Sequence, residues 1–133
     1  MKKIICIVFL VLTTTLKAQE AVEKQIITSV KLEADKIFLN DQLAFNYLRI
    51  DSDFIISNLN GKELIKGHIS SDENGKFSSI ITFVTFGKDF SNEKIIGRKE
   101  IIFALCENNV IKENFEIDEL KLTAFLKKYN ELK

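Results

Sequence analysis

Apolar and polar residues alternate along much of the chain between Ile26 and Phe86, and this alternation predicts an antiparallel β-meander of about five to six strands. The stretch "IITSVKLEA" favours a strand, because strict alternation follows its β-branched residues. A helix is the competing interpretation there, since apolar residues also recur at helical spacing, at Val22, Ile26, Val30 and Ala34. The last stretch of the series, "FSSIITFVTF", is apolar on both faces, which predicts a strand in the middle of the sheet with both faces at least partly covered.

Turn residues separate the predicted strands. In "KIFLNDQLAFNYLRI", the pair Asn40–Asp41 predicts a tight turn between two short strands. The pairs Asn60–Gly61 and Asn74–Gly75 each predict a two-residue type I′ hairpin turn, because asparagine and glycine adopt the positive φ angles that such a turn requires.

Beyond Phe90 the pattern becomes helical. In "IIGRKEIIFALCENN", Gly97 is the predicted N-cap and Glu100 follows three residues later. In "EIDELKLTAFLKKYNELK", Asp118 is the predicted N-cap. The apolar stripe of this second helix consists of Leu122, Phe125, Leu126, Tyr129 and Leu132. The sequence therefore predicts an α+β fold, in which the antiparallel meander is followed by two C-terminal helices packed on the sheet.

The N-terminus has the layout of a secretory signal peptide. Lys2 and Lys3 precede the apolar run Ile4–Leu12, and a polar stretch closes at Ala18. This run is about half the roughly 20 apolar residues that a membrane-spanning helix needs. We therefore expect a cleaved leader at residues 1–18 and a single small α+β domain at residues 19–133, periplasmic or secreted, without stable membrane insertion.

Net charge limits the classes of partner. Removal of the leader takes away three lysines and no acid, so 16 basic and 19 acidic side chains remain, a formal charge of −3. No strongly basic surface is implied, so the partner is expected to be another protein or an envelope component rather than nucleic acid. The oligomeric state is left open. Apolar residues make up 46% of the chain, enough for a core without disulfides or a metal.

Cys106 is the only cysteine outside the leader, which makes it a candidate nucleophile or interchain bridge. It shares a predicted helix face with Ile102, Phe103 and Val110, and it lies near the helix C-terminus, where the dipole disfavours a thiolate. A core position is therefore the favoured interpretation. His68, the only histidine, lies on a lysine-rich strand face that is expected to face solvent, so the two residues are not expected to form a dyad.

Two acidic clusters, Asp51 with Asp53 and Asp72 with Glu73, are candidate calcium ligands or hydrolytic carboxylates. Around Gly75 the spacing resembles a calcium loop, but Ile81 occupies the position where the closing glutamate is needed. The other cluster, at Asp51 and Asp53, has no such framework, and no carboxylate pair stands out for hydrolysis. The sequence therefore assigns no catalytic, cofactor-binding or metal-binding residue, and it implies no cofactor.

Two classes of function remain. The leading hypothesis is an exported, non-enzymatic binding or interaction protein, such as a periplasmic inhibitor, an immunity factor or an envelope accessory factor. The alternative is a small exported hydrolase that uses carboxylates or Cys106. An exposed edge strand or apolar patch would favour the first class, whereas a concave pocket with two or more converging acids would favour the second.

Overall fold

The computed structural model describes residues 24–132, so the predicted leader at residues 1–18 lies outside the described part of the chain. The described residues form one seven-stranded antiparallel sheet, with the strands in sequence order, and two helices. The strands are β1 (Val30–Glu33), β2 (Lys36–Leu39), β3 (Gln42–Ile50), β4 (Asp53–Ser57), β5 (Glu63–Ser71), β6 (Phe77–Phe83) and β7 (Lys88–Phe90). The helices are α1 (Arg98–Glu107) and α2 (Glu119–Tyr129). The predicted α+β meander with two C-terminal helices is confirmed.

The strand count is higher than the sequence indicated. The seventh strand, β7, has only three residues, too few to display an alternating pattern. It follows a 3-10 helix at Val84–Phe86 and a left-handed Gly87. The predicted strand over "FSSIITFVTF" therefore ends at Phe83. At the start of the sheet, "IITSVKLEA" forms a strand only over Val30–Glu33, and the helical interpretation is wrong there.

One face of the sheet and both helices enclose the hydrophobic core. Aromatic residues run through this core from β6 to α2, with Phe90 lying 6.5 Å from Phe83 and 5.2 Å from Phe125 between ring centroids. At the other side, Arg98 of α1 stacks on Tyr47 and donates to the carbonyl oxygen of Ala34. The helix α1 therefore covers the first strands and α2 covers the last.

The opposite face of the sheet, which we call the open face, is not covered by either helix. Cross-strand register places six apolar side chains on it: Phe38, Leu43, Leu48, Ile50, Ile55 and Ile80. None of them belongs to the core cluster or to the residues packed against it. The prediction that both faces of β6 are at least partly covered is therefore wrong, because Ile80 is 50% exposed.

The two predicted Asn-Gly turns have a different geometry from the one expected. Gly61 and Gly75 have positive φ angles, of 86° and 78°, but neither preceding asparagine does. The loops are longer than two residues, and a side chain closes each: Asn58 Oδ1 accepts from the N–H of Lys62, and Asp72 Oδ1 accepts from the N–H of Lys76. The type I′ assignment is wrong, while the hairpins themselves are confirmed.

The tight turn at Asn40 and Asp41 is confirmed, and both residues have positive φ angles. The side chain of Asn40 also holds the segment before β1. Its Oδ1 accepts from the N–H groups of Thr28 and Ser29, and its Nδ2 donates to the carbonyl oxygen of Ile26. One asparagine therefore supports a turn of the sheet and the entry of the chain into it.

Both helix starts agree with the sequence. Gly97 is the N-cap of α1, and its N–H donates to Glu100 Oε1 at 3.3 Å. Asp118 is the N-cap of α2, and its Oδ1 accepts from the N–H groups of Leu120 and Lys121 at 3.0 and 3.2 Å. In the stripe of α2, Leu122 and Phe125 are buried. Within residues 24–132, neither helix is both long and apolar enough to cross a membrane.

Candidate functional site

Two neighbouring hollows lie at one end of the sheet, around the 3-10 helix Val84–Phe86. A first hollow, of about 520 Å³, has an apolar floor that includes Phe45, Phe115 and Ile117. Phe115, in the connection between α1 and α2, packs edge-to-face on Phe45, with 6.4 Å between the ring centroids. The rim carries one lysine, Lys62, and one glutamate, Glu116.

A second hollow, of about 390 Å³, lies on the other side of the same 3-10 helix, since Thr85 and Phe86 line both. Its apolar floor comes from Leu122 and Leu126 of α2. Its rim again carries one lysine, Lys88, and one glutamate, Glu119. We call the two hollows together the Phe86 groove.

Free hydrogen-bond donors line the first hollow. Asn58 Oδ1 is engaged by the N–H groups of Asn60 and Lys62, and Asn114 Oδ1 by the N–H of Glu116. The side-chain amide nitrogens of Asn58 and Asn114 have no hydrogen-bond partner among residues 24–132. Because the oxygen of each amide is held by a turn, the orientation of each amide group is set before any ligand arrives.

Cys106 lies in the core, as predicted, and is 1% exposed. Burial, with a smaller contribution from the neighbouring Glu107 carboxylate, raises the pKa of its thiol from the ordinary value of 9.0 to about 12. A thiol of this kind is protonated at neutral pH and is a poor nucleophile. Of the three residues expected to share its face, Ile102 and Val110 are buried, but Phe103 is exposed, so that part of the prediction is wrong.

His68 lies on the open face, across the sheet from Cys106. Its Nδ1 is 2.6 Å from Asp53 Oδ1, and both side chains are largely exposed. The lysine-rich face of β5 therefore does face solvent, as expected. With the thiol on the helix side and the imidazole on the open face, the two groups do not meet to form a dyad.

The aspartates that were candidate metal ligands form hydrogen bonds or ion pairs within the fold. Asp53 pairs with His68, and Asp72 Oδ1 accepts from the N–H groups of Asn74 and Lys76 in the β5–β6 turn. No group of three or more potential metal ligands occurs in the part of the chain that the structure describes. Each hollow of the Phe86 groove is lined by a single carboxylate. The pair of converging acids that would favour the hydrolase is therefore not found in this groove.

Sequence reasoning missed the Phe86 groove. Its walls come from three segments far apart in the chain: the β4–β5 loop, the 3-10 helix and the connection between α1 and α2. The only local signal was the apolar end of "FSSIITFVTF", which the alternation assigned to a strand. No family of known proteins, no curated protein and no solved structure matches this chain.

Proposed function

We propose that this protein is an exported binding module of the periplasm or cell exterior, which holds an extended segment of a partner protein in the Phe86 groove. The observation that carries the proposal is the repeated composition of the groove. Each of its hollows combines an apolar floor with one lysine and one glutamate at the rim. A ligand matched to both hollows has apolar side chains next to charges of both signs.

An extended polypeptide has this chemistry. In an extended chain, alternate side chains point the same way and lie about 6.8 Å apart, so two apolar residues can enter neighbouring hollows on either side of Phe86. The amide nitrogens of Asn58 and Asn114 are placed to donate to carbonyl oxygens of the ligand main chain. Charged residues of the ligand then pair with Lys62 or Lys88 and with the two glutamates at the rim.

Strand addition at a sheet edge is less well supported than groove binding. Beside β7, the C-terminal tail occupies main-chain groups: Glu131 N–H donates to the carbonyl oxygen of Ser91, and Asn130 Nδ2 donates to that of Asp89. At the other edge, β1 has four residues and exposes the charged pair Lys31 and Glu33. Short and charged edges of this kind disfavour pairing with another chain.

Export is supported by the leader pattern and is compatible with the fold. The first described residue, Lys24, is already tied to the domain, because its carbonyl oxygen accepts from Asn109 Nδ2. Cleavage after Ala18 would therefore leave every described contact in place. With a formal charge of −3 for residues 19–133, a protein partner remains better supported than nucleic acid.

The proposal is tested by selecting peptides from a random displayed library on the chain from Gln19 onward, which contains the whole described fold. We expect enrichment of peptides with apolar residues at alternate positions and charges of both signs. A Lys62→Glu/Lys88→Glu double variant should bind the selected peptides about fivefold to tenfold more weakly, because two exposed charge pairs are reversed. The matched control is Lys99→Glu, because Lys99 is an exposed residue of α1 that does not line the groove.

Two outcomes would contradict the proposal: no enrichment above an unrelated protein, or an equal loss of affinity in the double variant and in Lys99→Glu. A charge-reversed peptide that recovers affinity for the double variant would support it. Circular dichroism of each variant checks that the fold is retained. Capture of partners from the native envelope fraction, followed by mass spectrometry, would then identify the protein that carries the selected pattern.

A further inference from the structure

The open face of the sheet departs from what a one-sided antiparallel sheet normally presents. Such sheets alternate apolar residues toward the core with polar residues toward water. Here Leu48, Ile50 and Ile80 are 54%, 55% and 50% exposed, and they lie on the same face. We infer that this face is the interface of a homodimer, in which the sheets of two copies pack face to face. This inference is independent of the proposed function, because none of its apolar residues lines the Phe86 groove.

The open face has a projecting part and a recessed part. Leu48 and Ile50 project from β3, while a hollow of about 380 Å³ lies over Lys66 and His68 of β5, between Ile55 of β4 and Ile80 of β6. A two-fold axis running along β4 places β3 of one copy over β5 of its partner. The projecting side chains of each copy then enter the hollow of the other, which is the reciprocal arrangement that two-fold symmetry requires.

Several charges on the open face lie next to an opposite charge within one copy. Lys31 lies 3.0 Å from Glu33, Lys66 lies 3.1 Å from Glu63, and Asp53 pairs with His68. On β6 and β7, Thr82 donates to Asp89 at 2.7 Å. A face with mixed and locally paired charges does not repel a copy of itself. It also gives no long-range attraction to a strongly charged partner, which favours self-association over binding to an acidic or basic surface.

The size of the face sets the expected affinity. Seven strands at about 4.8 Å spacing span roughly 29 Å, and strands of about six residues extend about 20 Å. Two such faces would bury on the order of 1,200 Å² in total, which is the low end of specific interfaces. We therefore expect a reversible dimer with a dissociation constant in the micromolar range.

The inference is tested by sedimentation equilibrium of the chain from Gln19 onward, from about 1 to 500 µM. We expect a monomer–dimer equilibrium. Leu48→Lys should weaken the dimer by at least about tenfold, because the two-fold arrangement places the new lysine over Lys66 of the partner copy, with which Leu48 shares a level along the strands. Leu120→Lys is the matched control, since Leu120 is 82% exposed on α2, away from the open face. That variant should dimerise like the unmodified chain.

A second measurement locates the interface. Methyl resonances of Ile50, Ile55 and Ile80 should shift with protein concentration, whereas those of the buried Ile101 and Ile102 should not. A monomer throughout the concentration range would overturn the inference, as would a dimer that Leu120→Lys weakens and Leu48→Lys does not. A monomer that still binds the selected peptides would overturn the dimer alone, whereas a dimer that binds none would overturn only the proposed function.

Discussion

At the scale of single residues, the environment of Cys106 decides its chemistry. The thiol is buried in the core, and its pKa is raised to about 12. The same burial that removes it from solvent keeps it protonated, because a thiolate loses its hydration there. A side chain that could have suggested an enzyme therefore acts as a small apolar residue of the core.

Cys106→Ser should lower the free energy of unfolding by about 1 to 3 kcal/mol, because a hydroxyl replaces an apolar sulfur in the core. Urea denaturation measures the change. Cys106→Ala is the matched variant, since it removes the sulfur without adding a polar group, and we expect it to be more stable than Cys106→Ser. The unmodified protein should react slowly with a thiol reagent. Fast labelling at neutral pH with an unshifted midpoint for Cys106→Ser would contradict the core assignment.

Stability should also depend on this thiol in alkaline solution. Between about pH 9 and pH 12 the folded protein keeps the proton on Cys106, whereas the unfolded chain loses it. The contribution of the protonated thiol to the free energy of unfolding is therefore fully present below pH 9. It is lost as the pH rises toward 12, by at most about 1.4 kcal/mol per pH unit. Urea denaturation at pH 8, 9, 10 and 10.5 should show a steeper decline for the unmodified protein than for Cys106→Ala. Parallel declines would show that the thiol titrates normally in the fold.

At the scale of elements, hydrogen bonds from side chains determine where helices and turns begin. Asp118 starts α2, while Asn58 and Asp72 close the two long hairpin loops. Each of these side chains accepts hydrogen bonds from main-chain N–H groups that would otherwise lack partners. The connection between α1 and α2 is held in a similar way, because Asp118 N–H donates to the carbonyl oxygen of Val110.

Asp118→Ala should lower the free energy of unfolding by about 1 kcal/mol, because the N–H groups of Leu120 and Lys121 lose their acceptor. Asp118→Asn keeps an oxygen at the same place and should retain most of the stability. The measurement is urea denaturation of the three proteins side by side. Equal midpoints for the alanine variant and the unmodified chain would mean that Asp118 does not stabilise the start of α2. Dimerisation should not change, because Asp118 is not on the open face.

At the scale of the whole molecule, one sheet separates two surfaces of different composition. The helix side holds the core and, at one end, the Phe86 groove, whereas the open face carries six apolar side chains that no element within residues 24–132 covers. A dimer formed through the open face would leave both grooves free. Two grooves in one particle would increase the apparent affinity for a partner that carries the recognised segment twice.

Export is the remaining prediction at this scale. The mature protein from the native host should begin near Gln19, which intact-mass measurement decides. Replacing Lys2 and Lys3 by glutamate should slow processing, because the positive start of the leader is lost. The control Lys99→Glu lies far from the leader in the sequence and should be processed normally. A full-length species retained in the inner membrane would contradict both the localisation and the assignment of residues 19–133 as the mature domain.

The sequence by itself determined the features that depend on local physics. Alternation with a period of two predicted six of the seven strands, and the capping residues Gly97 and Asp118 predicted both helix starts. The burial of Cys106 followed from its apolar neighbours on one helix face. These features were predictable because each is indicated by residues within a few positions of one another along the chain.

Tertiary structure decided the features that depend on distant residues. Asn109 joins α1 to the N-terminal segment through bonds to Ile26 and Lys24, more than 80 positions earlier in the chain. The Phe86 groove needs three separate segments to meet. Both faces of β6 were expected to be at least partly covered, but neither helix packs over Ile80. The alternation shows which side chains share a face of a strand. Only the packing of the helices decides which face of the sheet the helices cover. The second apolar face therefore became a surface rather than part of the core.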